Sequence, residues 1–168
     1  MPRCLQVLAL TGMAWTVAAQ PPQLSDQKAD YLLSFLRYVE WPTRPATGPF
    51  VVCVVALNKF GAALQAAARG QLVDGRPVET RVIHQPSSDC HIVFVPNGMS
   101  TGPYVRAAHG TLTVGESPAF QRQGGAITFV VADNRVRFAI SAEAATRADV
   151  RISSRLLRLS YADQPGAP

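Results

Sequence analysis

The sequence predicts a single-domain α/β sandwich in which helices flank a mixed β-sheet of about six strands. Continuous apolar runs at residues 50–55 and 91–95 have the length and character of strands that are buried on both faces. Segments with helical spacing alternate with these runs, as in α/β folds. Residues 126–131 and 135–140 read as two strands joined by a tight turn, so the predicted sheet contains a hairpin and is mixed rather than wholly parallel.

The first predicted helix begins at Ser25, because serine side chains accept hydrogen bonds from the open N–H groups of a first helical turn. Apolar residues then recur at helical spacing from Ala29 to Val39. Pro42 disfavours a helical conformation in the residue before it, so we expect this helix to end near Trp41.

Later elements are predicted from strand alternation, helix caps and turn residues. We expect Asn58 and Ser141 to cap helices and Gly70 to end one. In chain order the remaining elements are a helix from residue 58 to 68, strands at 78–83 and 91–95, a helix at 103–108, a strand at 111–114, the hairpin strands 126–131 and 135–140 around the turn 132–134, a helix after 141 and a last helix at 152–159.

The N-terminal segment predicts export. A short basic start is followed by a mostly apolar run to Ala18 and by the small residues that a signal peptidase reads. The run is too short and too interrupted for a comfortable bilayer span. We therefore expect a signal peptide over residues 1–19, one α/β domain over residues 20–161 and a frayed tail over residues 162–168.

The bulk composition excludes several classes of protein. A hydrophobic content of 48% excludes a disordered chain. The formal charge of +5 is spread along the sequence without a basic cluster, which favours an ordinary solvated surface. Nucleic acid is not an expected partner for an exported protein.

The cysteines favour a disulfide. Cleavage after Ala19 would remove Cys4 and leave the even pair Cys53 and Cys90, which in an exported protein favours a bridge. The alternative is a metal site shared with His91. It is disfavoured because neighbouring residues on a strand point to opposite faces. We therefore expect no metal, and no other cofactor is indicated.

No catalytic group can be assembled from the sequence. His84 and His109 flank loops, and His91 lies in an apolar strand, where a packing role is expected. Residues 115–119 resemble part of a nucleophile elbow, but an alanine replaces the last glycine. The proline after the serine also removes the backbone donor that an oxyanion hole would use. We predict that the chain is not an enzyme.

Two short segments are candidate contacts for a partner or a ligand. Tyr38, Glu40 and Trp41 follow the first helix and could form such a surface; the alternative is that the aromatic rings pack the helix end on the sheet. Gly124 and Gly125 precede a strand and could bring backbone amides close to a ligand anion. The alternative there is a bend where the chain enters the sheet.

Eight short segments carry a more specific signal, and together they cover nearly all of the sequence after the N-terminal segment. They lie at residues 31–42 (YLLSFLRYVEWP), 50–55 (FVVCVV), 75–78 (GRPV), 90–95 (CHIVFV), 112–120 (LTVGESPAF), 124–127 (GGAI), 137–141 (RFAIS) and 152–159 (ISSRLLRL). In this order they resemble the YfiR family of periplasmic proteins.

The resemblance implies a periplasmic repressor. Such a protein binds the periplasmic sensor region of an inner-membrane, YfiN-like diguanylate cyclase and holds the cyclase inactive. An outer-membrane, YfiB-like lipoprotein can sequester the repressor, whereupon cyclic di-GMP rises and favours biofilm. The family is also associated with sensor kinases, and its members can form homodimers.

The resemblance also implies a disulfide between Cys53 and Cys90. Some members carry a second cysteine pair later in the chain, which this sequence lacks. Redox control through a second bridge is therefore not expected here. The main alternative to a protein-binding repressor is a small-ligand sensor with a pocket near Trp41, Gly124 and Gly125.

Overall fold

The computed structural model describes residues 23–56 and 59–161. Helices and strands alternate along most of these residues, as the sequence predicts. The helices are α1 Leu24–Phe35, α2 Lys59–Ala68, α3 Gly102–Arg106, α4 Pro118–Arg122, α5 Ala142–Arg147 and α6 Ser154–Leu157; the strands are β1 Val39–Glu40, β2 Phe50–Val55, β3 Leu72–Val73, β4 Arg76–Ile83, β5 Ile92–Val95, β6 Leu112–Gly115, β7 Ile127–Ala132, β8 Arg135–Ile140 and β9 Arg151–Ile152.

The main sheet has seven strands in the order β3-β4-β2-β5-β6-β7-β8. The five strands from β4 to β7 run parallel, and β3 and β8 pair antiparallel at the two ends. The predicted α/β class with a mixed sheet is confirmed. The parallel strands share a common direction, so the sheet has an amino edge and a carboxyl edge, where loops meet.

Helices cover both faces of this sheet, which is why its central strands are apolar throughout. All six residues of β2 and all four of β5 are buried. On one face, Phe35 and Leu32 of α1 pack with the larger hydrophobic cluster. On the other, Tyr104 of α3 and Phe120 of α4 pack with a smaller one. The prediction from the continuous apolar runs is therefore confirmed.

The predicted hairpin is present between β7 and β8. Asp133 and Asn134 are its turn residues, with φ values of 51° and 56°. Two successive residues with positive φ form the tight turn whose twist matches that of paired strands, and Asp and Asn tolerate that conformation.

The first helix differs from its prediction at both ends. It begins after Gln23, which forms a reciprocal capping arrangement with Asp26, rather than at Ser25. It ends at Phe35, well before Trp41, because the chain turns there to place β1 against β9. The apolar residues beyond the helix, including Val39, still pack in the core.

The C-terminal prediction is also partly wrong. The expected helix at 152–159 begins only after Ser153, whose side chain accepts a hydrogen bond from Leu156 N. Ile152 is instead the last residue of β9, which pairs antiparallel with β1 to form a separate two-stranded ribbon. Neither strand shows alternation in sequence, because two residues are too few to carry a pattern.

Two further elements escaped prediction. Strand β3 has two residues and pairs with the start of β4. Helix α4 begins after Ser117, whose side chain accepts a hydrogen bond from Phe120 N. The serine of the elbow-like segment is thus a helix cap. The expected cap at Ser141 is confirmed, since its hydroxyl accepts from Ala144 N.

Three predictions lie outside the described residues: the signal peptide, the cap at Asn58 and the C-terminal tail. Within residues 23–56 and 59–161, no helix combines the length and apolar character needed to cross a membrane.

Candidate functional site

The disulfide joins β2 to Cys90, two residues before β5. Cys53 and Cys90 are bonded, with their Cα atoms 5.8 Å apart, a normal separation for a bridge. Both side chains are buried on the sheet face that α3 and α4 cover. The bridge predicted from the sequence is therefore present, and it closes a segment that contains β3, β4 and α2.

Arg44 binds the loops at the amino edge of the main sheet. Its guanidinium donates hydrogen bonds to the carbonyl oxygens of Ser88, Asp89, Cys90 and Gly110 at 2.5–3.3 Å. Burial lowers the pKa of Arg44, which Asp89 partly offsets, but arginine remains charged. One side chain thus ties the loop after β1 to the loops that precede β5 and β6.

Trp41 packs beside this network rather than projecting from it. Its indole Nε1 donates to the carbonyl oxygen of His91 at 3.0 Å, and its ring lies against Phe50 and His91. The side chain is 9% exposed. The geometry matches the packing alternative that the sequence left open for this residue.

His91 is a buried acceptor. Its Nδ1 accepts a hydrogen bond from Val51 N at 3.1 Å, which requires that nitrogen to be unprotonated. Burial, and to a smaller extent the positive charges of Arg44 and Arg76, lower the pKa of His91 to about 4. The imidazole is therefore neutral near pH 7 and serves packing and hydrogen bonding, as the sequence predicts for a histidine in an apolar strand.

The β1–β9 ribbon carries the other two candidate contacts of this segment. Glu40 is exposed and lies opposite Arg151 in the ribbon register. Tyr38 is half-buried beneath Arg155, whose guanidinium carbon lies 5.5 Å from the ring centroid. Tyr38 O also accepts from Ser153 N. We call Tyr38, Glu40, Arg151 and Arg155 the ribbon surface.

A groove of about 580 Å³ adjoins the ribbon surface. Residues of α5, of β9 and of the segment between them line most of it, together with Leu157, and Pro42 and Thr43 complete the lining. Arg151 borders both the groove and the ribbon, so the two form one continuous surface with charged and apolar parts. Such a combination suits protein recognition better than chemistry on a small substrate.

Gly124 and Gly125 lie in a different place. Gly125 is buried, and an added Cβ atom there would overlap the ring of Phe120. Gly124 has a φ of +93° and lines a separate cleft of about 370 Å³ with His109 and Arg147. The close approach to Phe120 explains Gly125 as a packing requirement, whereas Gly124 is accessible from its cleft. Helix α5 contributes residues to both this cleft and the groove, on different sides.

The site contains no arrangement that points to metal chemistry. Among the described residues, no group of three His, Cys, Asp or Glu side chains is placed to hold a metal ion. His91 is bound to backbone, and the Nδ1 atom of exposed His109 lies 2.9 Å from the carboxylate of Asp149.

Sequence reasoning missed Arg44 and the groove. Arg44 sits in a Pro- and Gly-containing loop without periodicity, and its carbonyl partners lie more than 40 positions away along the chain. The groove combines the loop after β1 with α5 and β9, which are distant in sequence. The only available hint was a lone arginine in an otherwise uncharged loop, which is a weak signal.

A family model described as YfiR/HmsC-like (DUF4154) matches residues 25–161. This chain belongs to that family. The match spans every helix and strand of the described fold apart from the first residue of α1. The YfiR/HmsC-like family is one of periplasmic regulatory proteins of diguanylate cyclase signalling rather than of enzymes.

Proposed function

We propose that this protein is exported to the periplasm, where it inhibits an inner-membrane, YfiN-like diguanylate cyclase by binding the cyclase's periplasmic sensor region. The observation that carries the proposal is the YfiR/HmsC-like match over residues 25–161. The signal peptide expected at residues 1–19 supports export. A buried disulfide is also consistent with an oxidising compartment.

The ribbon surface and the adjoining groove are the proposed contact region. Tyr38 and Glu40 would contact the partner directly, and Trp41 would hold the ribbon in place through its packing on Phe50 and His91. Aromatic and arginine side chains are enriched where interfaces bind most strongly, and Tyr38 and Arg155 supply both types here. Gly124 is proposed as a second, separate contact through the cleft beside α5, and Gly125 would support that contact through its close packing on Phe120.

Inhibition through this surface requires a preference for one state of the cyclase. A ligand shifts an equilibrium only as far as its affinity differs between the two states. A 100-fold suppression of activity would correspond to about 2.7 kcal/mol of differential binding free energy. An outer-membrane, YfiB-like lipoprotein that competes for the same surface would relieve the inhibition. A homodimer is a further proposal that rests on family resemblance.

Deleting the gene and measuring cellular cyclic di-GMP tests the proposed activity directly. We expect a several-fold rise and increased biofilm, both reversed by the wild-type gene. An unchanged cyclic di-GMP level would contradict the proposal that the protein inhibits a diguanylate cyclase.

A charge reversal on the ribbon surface tests the proposed contact region. Glu40→Lys should fail to restore low cyclic di-GMP, because it places the opposite charge in the proposed contact region. Glu40 is exposed, so the substitution removes no buried packing. The matched control is Glu79→Lys, which reverses an exposed charge on β4. If Glu40→Lys complements as well as the control, the ribbon surface is not the contact region.

The alternative function is an accessory protein of a sensor histidine kinase or a periplasmic small-ligand sensor. In the first case deletion would change phosphorylation of the partner kinase and leave cyclic di-GMP unaltered. In the second, thermal-shift screening against nucleotides, amino acids and vitamins would find a stabilising compound.

A further inference from the structure

A second cleft, of about 750 Å³, lies at the carboxyl edge of the main sheet. It arises because β6 ends at Gly115, in register with Thr128, whereas β7 continues to Ala132. The last residues of β7 therefore have β8 on one side and no strand on the other. In sheets with parallel strands, ligands bind in crevices outside the carboxyl ends of the strands. We call this opening the carboxyl-edge cleft.

The peptide group of Val131 faces this opening. Val136 is the partner of Val131 in the β7–β8 ladder, and Val136 N donates away from β7, to Gln27 Oε1. In an antiparallel ladder, two residues opposite each other either both bond across the pair or both point outward. The N–H and C=O of Val131 therefore point away from β8, to the side where β6 has already ended. They form an open pairing position for an extended chain.

Thr128 adds a buried hydroxyl without a partner. Thr128 lines the cleft and is 5% exposed. Its Oγ1 makes no hydrogen bond to any described residue. A buried hydroxyl without a partner is costly, so an occupant that hydrogen-bonds it gains more than at an already satisfied group. Rotation about the Cα–Cβ bond changes the direction of this hydroxyl without moving the backbone.

The charges of the cleft favour an anionic group in the occupant. Lys28 and Glu116 pair at 2.5 Å, with about a fifth of each side chain exposed, and Glu116 also accepts from Asn97 N. The carboxylate of Glu116 is thus already engaged. Arg122 lines the same cleft from α4, and within the described residues no carboxylate pairs with it. A planar guanidinium without a carboxylate partner can bind the carboxylate of an occupant with two parallel hydrogen bonds.

We propose that the carboxyl-edge cleft binds a short peptide of about two or three residues, in extended form, through its free C-terminal carboxylate and one main-chain amide. Arg122 binds the carboxylate, the peptide group of Val131 pairs with the amide, and Thr128 supplies a further hydrogen bond. Apolar atoms of Pro118 and Val130 form a wall for a side chain. This proposal does not depend on the cyclase: it concerns the opposite edge of the sheet from the ribbon surface.

Isothermal titration of the disulfide-intact protein lacking residues 1–19 tests the proposal, with trialanine and tripeptides carrying central acidic, basic and aromatic side chains as probes. We expect saturable binding by at least one free-carboxylate tripeptide. The same peptide with an amidated C-terminus should bind at least 10-fold more weakly. Acetate and inorganic phosphate alone should not compete at equal concentration. No binding by any tripeptide, equal binding of the amidated form or full competition by acetate would overturn the proposal.

Two variants locate the binding. Arg122→Gln should weaken it about 10-fold and reduce its dependence on salt. Thr128→Val, which keeps the side-chain shape, should weaken binding roughly 5- to 10-fold and leave the Tm unchanged or raised. The control is Arg158→Gln, an exposed arginine after α6, which should bind as the wild type does. If both cleft variants bind like the control, the peptide site lies elsewhere and the proposal fails.

Discussion

The amino and carboxyl edges of the main sheet differ in how fully their polar groups are hydrogen-bonded. At the amino edge the guanidinium of Arg44 satisfies four backbone carbonyls, and His91 accepts from a strand N–H. At the carboxyl edge Thr128 Oγ1 has no partner in the described chain, and β7 runs past its neighbour. Both edges are made from the same parallel strands.

The difference suggests that the amino edge contributes mainly to stability and the carboxyl edge mainly to binding. At the amino edge the loops are already hydrogen-bonded through Arg44, and giving up those hydrogen bonds to bind a ligand would cost free energy. Groups left without partners gain from an occupant. The amino edge therefore stabilises the fold and positions the ribbon surface beside it, whereas the carboxyl edge has polar groups that are free to bind an occupant. Substitutions at the amino edge should accordingly cost more stability than those at the carboxyl edge.

The largest expected effect is loss of the disulfide, which links Cys90 at the amino edge to Cys53 within β2. Replacing Cys53 and Cys90 together by alanine should lower the free energy of unfolding by about 3–4 kcal/mol, because the bridge restricts the unfolded chain. Urea unfolding measures the change. Reducing the wild-type protein should give a loss of similar size, and a loss below about 1 kcal/mol in both experiments would contradict the assignment of the bridge as a major stabiliser.

The next effect is a pH dependence from His91. Its folded pKa of about 4 lies below the ordinary value of 6.5, so the unfolded state binds the proton first as pH falls. The stability it contributes is complete above about pH 6.5 and is lost as pH falls toward 4, by up to about 3 kcal/mol.

Unfolding free energies of wild type and His91→Gln across pH 4–7.5 measure this contribution. The variant should lose that part of the slope, whereas His84→Gln, at an exposed position, should retain it. Equal slopes in wild type and His91→Gln would show that His91 does not cause the acid sensitivity.

A smaller loss is expected from Arg44→Met. Removing the guanidinium takes a donor from each of four carbonyl oxygens. Among the described residues, only the carbonyl oxygen of Cys90 keeps another donor, the Thr111 hydroxyl, so the free energy of unfolding should fall by about 2 kcal/mol. Arg44→Lys should restore little of it, since an ammonium cannot reach several carbonyls in a fixed fork. The exposed control Arg37→Met should change the free energy of unfolding by less than about 0.5 kcal/mol. If Arg44→Met costs no more than Arg37→Met, the hydrogen bonds of Arg44 do not stabilise the amino edge.

The smallest effect is expected at the carboxyl edge. Lys28→Met removes a partly buried ion pair with Glu116 and should cost about 1 kcal/mol or less. Arg81→Met, which removes more exposed pairs with Glu79 and Asp89, should cost less still. Chemical unfolding of both variants provides the comparison. A loss for Lys28→Met as large as that for Arg44→Met would break the contrast between the two edges.

Much of the main sheet was predictable because its signals are local. The apolar runs of β2 and β5, the turn at Asp133-Asn134 and the cap at Ser141 each depend on a few neighbouring residues. The two-residue strands β1, β3 and β9 were not predictable, since pairing with distant segments creates them.

The candidate site divides in the same way. Cysteine number and the expected export pointed to the bridge between Cys53 and Cys90, and the tertiary structure contains it. The aromatic character of the segment after α1 was evident. That Trp41 is buried while Glu40 is exposed depends on the chain turning at Phe35 and on pairing with β9.

The sequence by itself determined the α/β class and most strands of the main sheet, because hydrophobic pattern and turn residues act over a few neighbouring positions. It also determined the cysteine pair and the family resemblance, which depend on residue identity alone. Only the tertiary structure decided which loops Arg44 joins, where the groove and the carboxyl-edge cleft open, and which hydroxyl is left without a partner. Those features depend on strand register and relative strand length, which arise when residues far apart in the chain are brought together.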